Sequence, residues 1–378
     1  MFDVIVCGAG PAGSVAATVL ARGGARVLLL DRARFPRDKL CGDTINPGAL
    51  AVLRRLRTID AIERTALPID GMIVTGERGA RVRCAYAVGA RGLAVLRRDL
   101  DAALVDAAVA AGVRFEPGVL VRGPLVGDDG GGIAVRGVIL SGADGHDIRV
   151  PAPMVIAADG RRSRIAMPLG LARHPPQPRR WAVGAYFEGV EDVGSFGEMH
   201  VRRGRYFGVA PLPSGLTNVC VVVPRIAALA DPRRLLLDTV AGDPAVRDRF
   251  RSARLATAPV VVGPLAVDAR KPGIPGVLLA GDAAGFIDPM TGDGLRFAVR
   301  GGELAAAAAL ATLGGRAARP HEILARSRRR EFAAKWRFNR ALRRLVGGDA
   351  TVTLAAIAAN AAPWTLRRAI AFAADVPR

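Results

Sequence analysis

The chain has 378 residues, room for two or three domains at about 150 residues each, and it can bury a core without disulfide or metal staples. Hydrophobic residues make up 51%, which excludes disorder for the bulk of the chain; the 45 glycines and 25 prolines carry no triplet period, which excludes collagen. Basic residues number 54 against 34 acidic, a net charge of +20, and only Lys39, Lys271 and Lys335 are lysines. Such charge fits a solvated surface, an anionic cofactor, an anionic membrane surface or nucleic acid. Its even spread and an aromatic content of 5% argue against a single-strand nucleic-acid binder, which needs stacking platforms. Cys7, Cys41, Cys84 and Cys220 are far apart with no C-x-x-C, which excludes a zinc ribbon or thioredoxin-like pair and fits a reducing cytoplasm. His146, His174, His200 and His321 lack metal-ligand spacing, so no metal site is expected. The apolar run after Asp3 has no basic flank and is broken by Gly8, Gly10, Pro11 and Gly13, unlike a signal peptide. No stretch of about 20 apolar residues reads as a membrane span.

In chain order, Val4 to Cys7 reads as a buried parallel strand, Gly8 to Gly13 as a turn, Ala12 to Arg22 as a helix, and Arg26 to Leu30 as a second strand ending at Asp31. Together they form a βαβ unit. Asn46-Pro47 predicts a capped helix start. Gly71 to Tyr86 alternates like two strands joined near Glu77-Arg78-Gly79. Asp99 to Ala111 reads as a helix, Val113 to Val121 and Ile133 to Ile139 as strands around a loop at Gly127 to Gly132, and Val150 to Ala157 as a buried strand. The proline cluster Pro175 to Pro178 marks a domain crossing. Trp181 to Glu188, Glu198 to Arg202, Tyr206 to Pro211 and Leu216 to Val223 then read as an antiparallel sheet. Helical sequence follows from Asp231 to Phe250, Val277 to Ala280 returns to a buried strand, and the chain is mostly helical from Leu295.

Gly8-Ala9-Gly10-Pro11-Ala12-Gly13 is a G-x-G-x-x-G between strand and helix, with Asp31 eighteen residues beyond Gly13. Gly8 permits the tight turn, Gly10 lets a pyrophosphate approach the backbone, and Gly13 lets helix and strand pack closely. The helix N-terminus offers N–H groups and a positive dipole end to phosphates; Asp31 can accept from ribose hydroxyls.

Three further motifs carry a resemblance. Gly281-Asp282-Ala283-Ala284-Gly285 follows a buried strand, Pro289-Met290-Thr291-Gly292-Asp293-Gly294-Leu295 comes shortly after, and Ala158-Asp159-Gly160 ends another strand. With the N-terminal fingerprint, their order resembles the para-hydroxybenzoate hydroxylase-like FAD superfamily over about residues 1–310. Lys39-Leu40-Cys41-Gly42-Asp43 and Phe286 to Gly294 resemble its geranylgeranyl reductase group. Tyr206-Phe207-Gly208-Val209-Ala210-Pro211 sits where that group has Tyr-x-Trp-x-Phe-Pro, so Gly208 and Ala210 predict a different or roomier cavity.

The resemblance implies an α/β fold: a Rossmann-like FAD-binding domain with an inserted antiparallel β-sheet substrate domain and C-terminal helices. Residues 1–70, 91–174 and 265–315 would form the FAD-binding domain, 71–90 and 175–264 the substrate domain, and 316–378 the helices. It implies FAD bound by Gly8, Gly10, Ala12, Gly13, Asp31, Arg32, Cys41, Gly42, Arg97, Val121, Asp159, Gly281, Asp282, Gly292, Gly294 and Leu295. Arg97 would lie near the pyrophosphate, Asp282 near the ribityl hydroxyls, and the helix start at Gly294 near the flavin N1/C2 edge, where a positive end stabilises reduced flavin. Cys41, Tyr206 and Pro289 are the catalytic candidates; Cys41 is otherwise a small packed residue, and Tyr206 a core aromatic with a bonded hydroxyl. NAD(P)H would serve as a transient reductant, its phosphates steered by Arg161, Arg162 and Arg164.

The expected partner is a hydrophobic small molecule. Reduction of a carbon–carbon double bond leads; monooxygenation of an aromatic or polyketide product is the alternative. A flavin halogenase is disfavoured, because no lysine lies between Lys39 and Lys271 and Trp181 stands alone. Glu198, His200 and Arg202 share one strand face, read as solvated or as cavity-lining. The arginines between Arg326 and Arg344, interleaved with Leu324, Phe332, Trp336, Leu342 and Val346, together with Ala350 to Leu366, read as a domain cap, or as peripheral membrane contact. Asn360 and Pro363 argue against a span there. The expected location is the cytoplasm, no nucleic acid is expected, and the oligomeric state is undetermined.

Overall fold

The computed structural model describes residues 1–128, 130, 132–142, 144–177, 179–224, 229–315, 318–345, 351, 353, 357 and 361–375. Pro178, Val346, Ala350, Asn360 and parts of the Gly127 to Gly132 loop lie outside the described residues.

The β-branched run Val4–Cys7 sits at the centre of a six-stranded sheet. It pairs in parallel with Val27–Asp31 on one side and Met154–Ala157 on the other; Arg114–Pro117 and Val277–Leu279 extend the sheet in parallel, and Gly273–Ile274 closes one edge antiparallel. Alternation assigns Val4 and Val6 to one face and Ile5 and Cys7 to the other. The first face packs on the helices Pro11–Arg22, Arg97–Ala110 and Gly294–Leu313 through Ala16, Val105, Ala108 and Ala305. The second packs through Val135, Val138 and Leu140 on an antiparallel meander of Val121–Asp128, Ile133–Ser141 and Asp147–Pro151. Both faces of the parallel sheet are therefore covered, as its apolar strands require.

A second sheet runs in the order Arg254–Leu255, Trp181–Glu188, Thr217–Val223, Arg205–Pro211, Phe196–Arg202, Gly71–Thr75, Arg81–Ala85. Phe196–Arg202 joins Gly71–Thr75 in parallel, so the sheet is mixed at that one junction. Its back face packs on the helix Pro232–Gly242. The helices Pro320–Leu345 and Pro363–Ala373 stand toward its front; Leu366 and Ile370 pack on Met72, Val74, Val82 and Cys84.

Three elements differ from the pattern reading. The run Val150 to Ala157 is split at Ala152-Pro153, so Asp147–Pro151 ends in the meander and Met154–Ala157 enters the parallel sheet. The run Val113 to Val121 is broken at Gly118 (φ 79°), so Arg114–Pro117 enters the parallel sheet while Val121 starts the meander. The helix expected to reach Phe250 ends at Gly242, because Asp243 precedes Pro244 and adopts extended backbone (ψ 117°). No helix of the described residues is long and apolar enough to cross a membrane.

Candidate functional site

The glycine turn follows the end of Val4–Cys7. Gly8 has φ 98°, and a Cβ there would lie 2.4 Å from the Ala158 carbonyl oxygen; a Cβ on Gly13 would lie 1.7 Å from the Gly8 carbonyl oxygen. A Cβ on Gly10 would meet only Arg37 Nη2, at 3.7 Å, so the turn is crowded behind and free in front. No side chain caps the helix Pro11–Arg22, so its first N–H groups face that space. Asp31 accepts from the Ala9 N–H at 2.8 Å and the Ala33 N–H at 2.9 Å, which fixes the turn. Arg32 is exposed beside it, whereas the Val121 side chain is buried in the core cluster behind the sheet.

The loop holding Cys41 and Gly42 lies between the two sheets. Arg97 is buried and donates to Asp101 at 2.8 and 2.9 Å, while Arg37 reaches the same carboxylate at 3.1 Å. Arg97 also meets the Cys41 thiol. Asp43 was not singled out in the sequence, yet it is 1% exposed with φ 51°, a strained position for a non-glycine residue. It accepts from the Arg97 N–H at 3.0 Å and from the Asn218 side-chain amide. Burial pushes its carboxyl up to about 6, against the hydrogen bonds from Asn218, Tyr186 and Arg97.

Asp282 sits just beyond the strand Val277–Leu279, at the carboxyl end where open α/β sheets bind ligands. Burial lowers the affinity of Arg161 for its proton, and the Asp282 charge partly restores it. The buried Arg161 Nε and Asp159 Oδ1 have no protein partner. Gly292 (φ 67°) turns the chain into the helix Gly294–Leu313, which begins without a side-chain cap and buries Leu295. A free space before two uncapped helix starts, rimmed by orphaned polar atoms, fits a dinucleotide with a pyrophosphate. Gly8, Gly10, Ala12, Gly13, Asp31, Asp159, Gly281 and Asp282 would hold its nucleotide half and ribityl chain. Cys41, Gly42, Gly292 and Gly294 would lie toward its ring.

A cavity of about 520 Å³ extends from Gly42, Pro289 and Gly292 across the front of the second sheet. Met72, Val74, Met199, Ala210 and Cys220 form its floor, and Phe338, Leu342, Leu366 and Ile370 of the C-terminal helices form its roof. A Cβ on Gly208 would find its nearest atoms at 3.6 and 3.8 Å, so this departure from the group's aromatic pattern leaves room. Pro289 lines the cavity; Cys41 and Tyr206 are not among its described lining residues. The Tyr206 hydroxyl is instead bonded to Asp288, which also accepts from Arg180 Nη1 at 2.7 Å.

The Glu198–His200–Arg202 face is buried rather than solvated, and it lines a second, polar cavity of about 780 Å³ apart from the apolar one. His200 is 1% exposed, bonded to Thr75 Oγ1 at 2.8 Å and Glu198 Oε2 at 3.0 Å, and stacked on Phe207. Burial would raise Glu198, but His200 and Arg249 hold it down to about 2. Arg202 pairs with Asp243 at 2.7 Å. These groups face the back of the sheet, where loop residues supply their partners. Of the arginines after Asp159, Arg162 is tied to the Gly263 carbonyl at 2.8 Å. No cluster of metal-ligating side chains occurs among the described residues.

A doubly covered parallel sheet, a glycine turn aimed at phosphates and a second sheet enclosing an apolar cavity define a flavin-dependent enzyme. The profile of the FAD binding domain family matches residues 1–234, and the chain belongs to that family, with FAD as its cofactor. Digeranylgeranylglycerophospholipid reductase of Methanosarcina mazei is 27% identical over 319 residues, 82% of this chain and 75% of that protein. Menaquinone reductase of Mycolicibacterium smegmatis is 39% identical over 122 residues; the match spans 32% of this chain and 29% of that protein. The flavin-dependent brominase Bmp2 shares the fold, with a TM-score of 0.82, 19% identity, and coverage of 99% of this chain and 94% of that one.

Proposed function

We propose that the protein is an NAD(P)H-using FAD oxidoreductase that reduces a carbon–carbon double bond in a hydrophobic small molecule. The observation that carries this reading is the apolar cavity reaching from Pro289 and Gly292 to the C-terminal helices. Its volume suits a small-molecule ligand, and its methionine, valine and leucine walls favour an apolar chain over a polar metabolite. The likeness to a reductase of isoprenoid lipid over most of both chains supports reduction over oxygenation.

When bound, FAD would supply hydride transfer from the nicotinamide to one carbon of the double bond, and the other carbon takes a proton that comes ultimately from solvent. The chain's residues do the rest. Gly8 to Gly13 and Asp282 anchor the cofactor, the helix start at Gly294 offers positive potential to its ring edge, and Phe338, Leu342 and Ile370 exclude water. The test is turnover with and without oxygen. Product formed anaerobically with NAD(P)H is expected; a product that forms only with O2 and carries its oxygen overturns the reductase reading in favour of a monooxygenase.

A further inference from the structure

Arg328 lies on the helix Pro320–Leu345, in the arginine-rich run read in the sequence as a cap or membrane contact, and is not among the residues lining the cavity. It is 4% exposed. Nη2 donates to the Ala284 carbonyl at 2.9 Å, at the end of the Gly281–Ala284 turn, and Nη1 has no protein partner. The guanidinium lies 5.5 Å from the Phe332 ring centroid and 5.4 Å from that of Trp336. No carboxylate within ion-pair distance faces it among the described residues. Burial pushes the group down to about 10, so it still carries its charge at neutral pH. A buried charge without a counter-ion is costly. One carbonyl and two aromatic faces offset only part of that cost.

Its location says what offsets the remainder. Nη1 is 3.2 Å from the point a Cβ would take on Gly301, and that point is 3.9 Å from the Gly281 nitrogen. A Cβ on Gly302 would strike the Ala12 carbonyl oxygen at 2.2 Å, and one on Gly281 would lie 2.9 Å from the Ala12 Cβ. Arg328, Gly301, Gly281 and Ala12 are therefore contiguous. The charge sits one layer behind the turn that presents N–H groups to phosphates.

We infer that Arg328 is a positioning residue for FAD, a buried cation whose counter-charge is the cofactor's pyrophosphate, acting through the Gly281 turn rather than by contact. Across so little solvent the attraction is barely screened by salt. The inference rests on the assignment of the Gly8 to Gly13 turn to the pyrophosphate. It implies that the full chain without FAD bears an electrostatic strain that FAD relieves.

The experiment compares Arg328→Gln and Arg328→Lys with the wild type, using the full chain stripped of FAD. Gln can still donate to the Ala284 carbonyl but carries no charge; Lys keeps the charge and loses the planar fork. Affinity is read by titration with FAD and with ADP, which carries the adenosine and the two phosphates without the flavin. The expected result is a loss of about tenfold for both ligands in the Gln variant, retention within about threefold in the Lys variant, and a smaller melting-temperature gap between apo and FAD-loaded Gln protein. Unchanged FAD and ADP affinity in the Gln variant, with equal loss of apo and loaded stability, overturns the inference and leaves a packing strut. If the Gln variant does not fold, the Lys variant decides: ADP affinity within threefold supports the charge, and a folded Lys protein that has lost ADP binding refutes it. Gly10→Val is the control for the underlying assignment. If it retains FAD and ADP, the pyrophosphate site itself is wrong, whatever the Arg328 variants do.

Discussion

The Tyr206 hydroxyl donates to the Asp288 carboxylate, and this bond ties the cavity-bearing sheet to the loop that turns at Gly292. Arg180 holds the other oxygen of Asp288 at 2.7 Å, and the Met290 N–H reaches the first at 3.2 Å. Burial and the Asp288 charge push the phenol well above its usual range, so it stays protonated at neutral pH. Tyr206 therefore acts as a clamp on the loop. Tyr206→Phe should cost about 1–3 kcal/mol of stability, the expected penalty for removing one partner of a buried charge-assisted bond, while leaving most of the turnover rate. Urea melts and steady-state kinetics on one preparation check this. Full stability with abolished turnover would make the phenol a proton donor instead.

Gly10→Val should give folded, colourless protein. A Cβ at Gly10 has space within the chain but intrudes where the phosphates approach. Asp282→Ala should weaken FAD retention by about tenfold or more, the scale of a lost charge-assisted hydrogen bond. Absorbance of the purified variants near the flavin bands measures both, and a Gly10→Val preparation as yellow as the wild type rejects the site.

Asp43 predicts a pH dependence with a definite sign. Its folded pKa, about 6, lies above the ordinary carboxylate value of 3.8. The folded state thus binds the proton more tightly, so stability falls as pH rises from about 4 to about 6 and then levels off. Asp43→Asn should lack this component. Urea midpoints of both proteins between pH 4 and 8 measure it; parallel curves would show that Asp43 does not titrate in this window.

Gly208→Phe should shorten the cavity from its floor. Its expected effect is weaker binding of long apolar ligands, by about tenfold or more for several displaced methylene contacts, with FAD content unchanged. Ligand titration against chains of increasing length tests this, and uniform affinity across lengths would mean that the chain does not cross Gly208.

The parts of the site legible in the sequence are local ones. The Gly8 to Gly13 turn and Asp31 are marked by spacing, and the Asp282 and Gly292 motifs by their resemblance to a family; each lies within a few residues of a strand end or helix start. Asp43 stands out in the sequence only as part of the Lys39 to Asp43 stretch and Arg328 only within the arginine run, because their surroundings depend on Asn218, Ala284 and Gly301, which only the fold brings near. The period-two pattern grouped Glu198 with His200 correctly, but alternation does not say which face a loop will cover. Helix propensity likewise overran Gly242, where the Asp243-Pro244 step stops the helix.

The roof of the cavity has a consequence for how the protein is made. The Cys84 thiol donates to the Arg367 carbonyl across 283 residues, and Leu366 and Ile370 close over the same strand pair. Every strand of the parallel sheet precedes the helix Gly294–Leu313 in the chain. In the order of synthesis, the cofactor's cradle and the cavity floor emerge from the ribosome before the roof, so a growing chain can complete its flavin site first and seal its substrate space last.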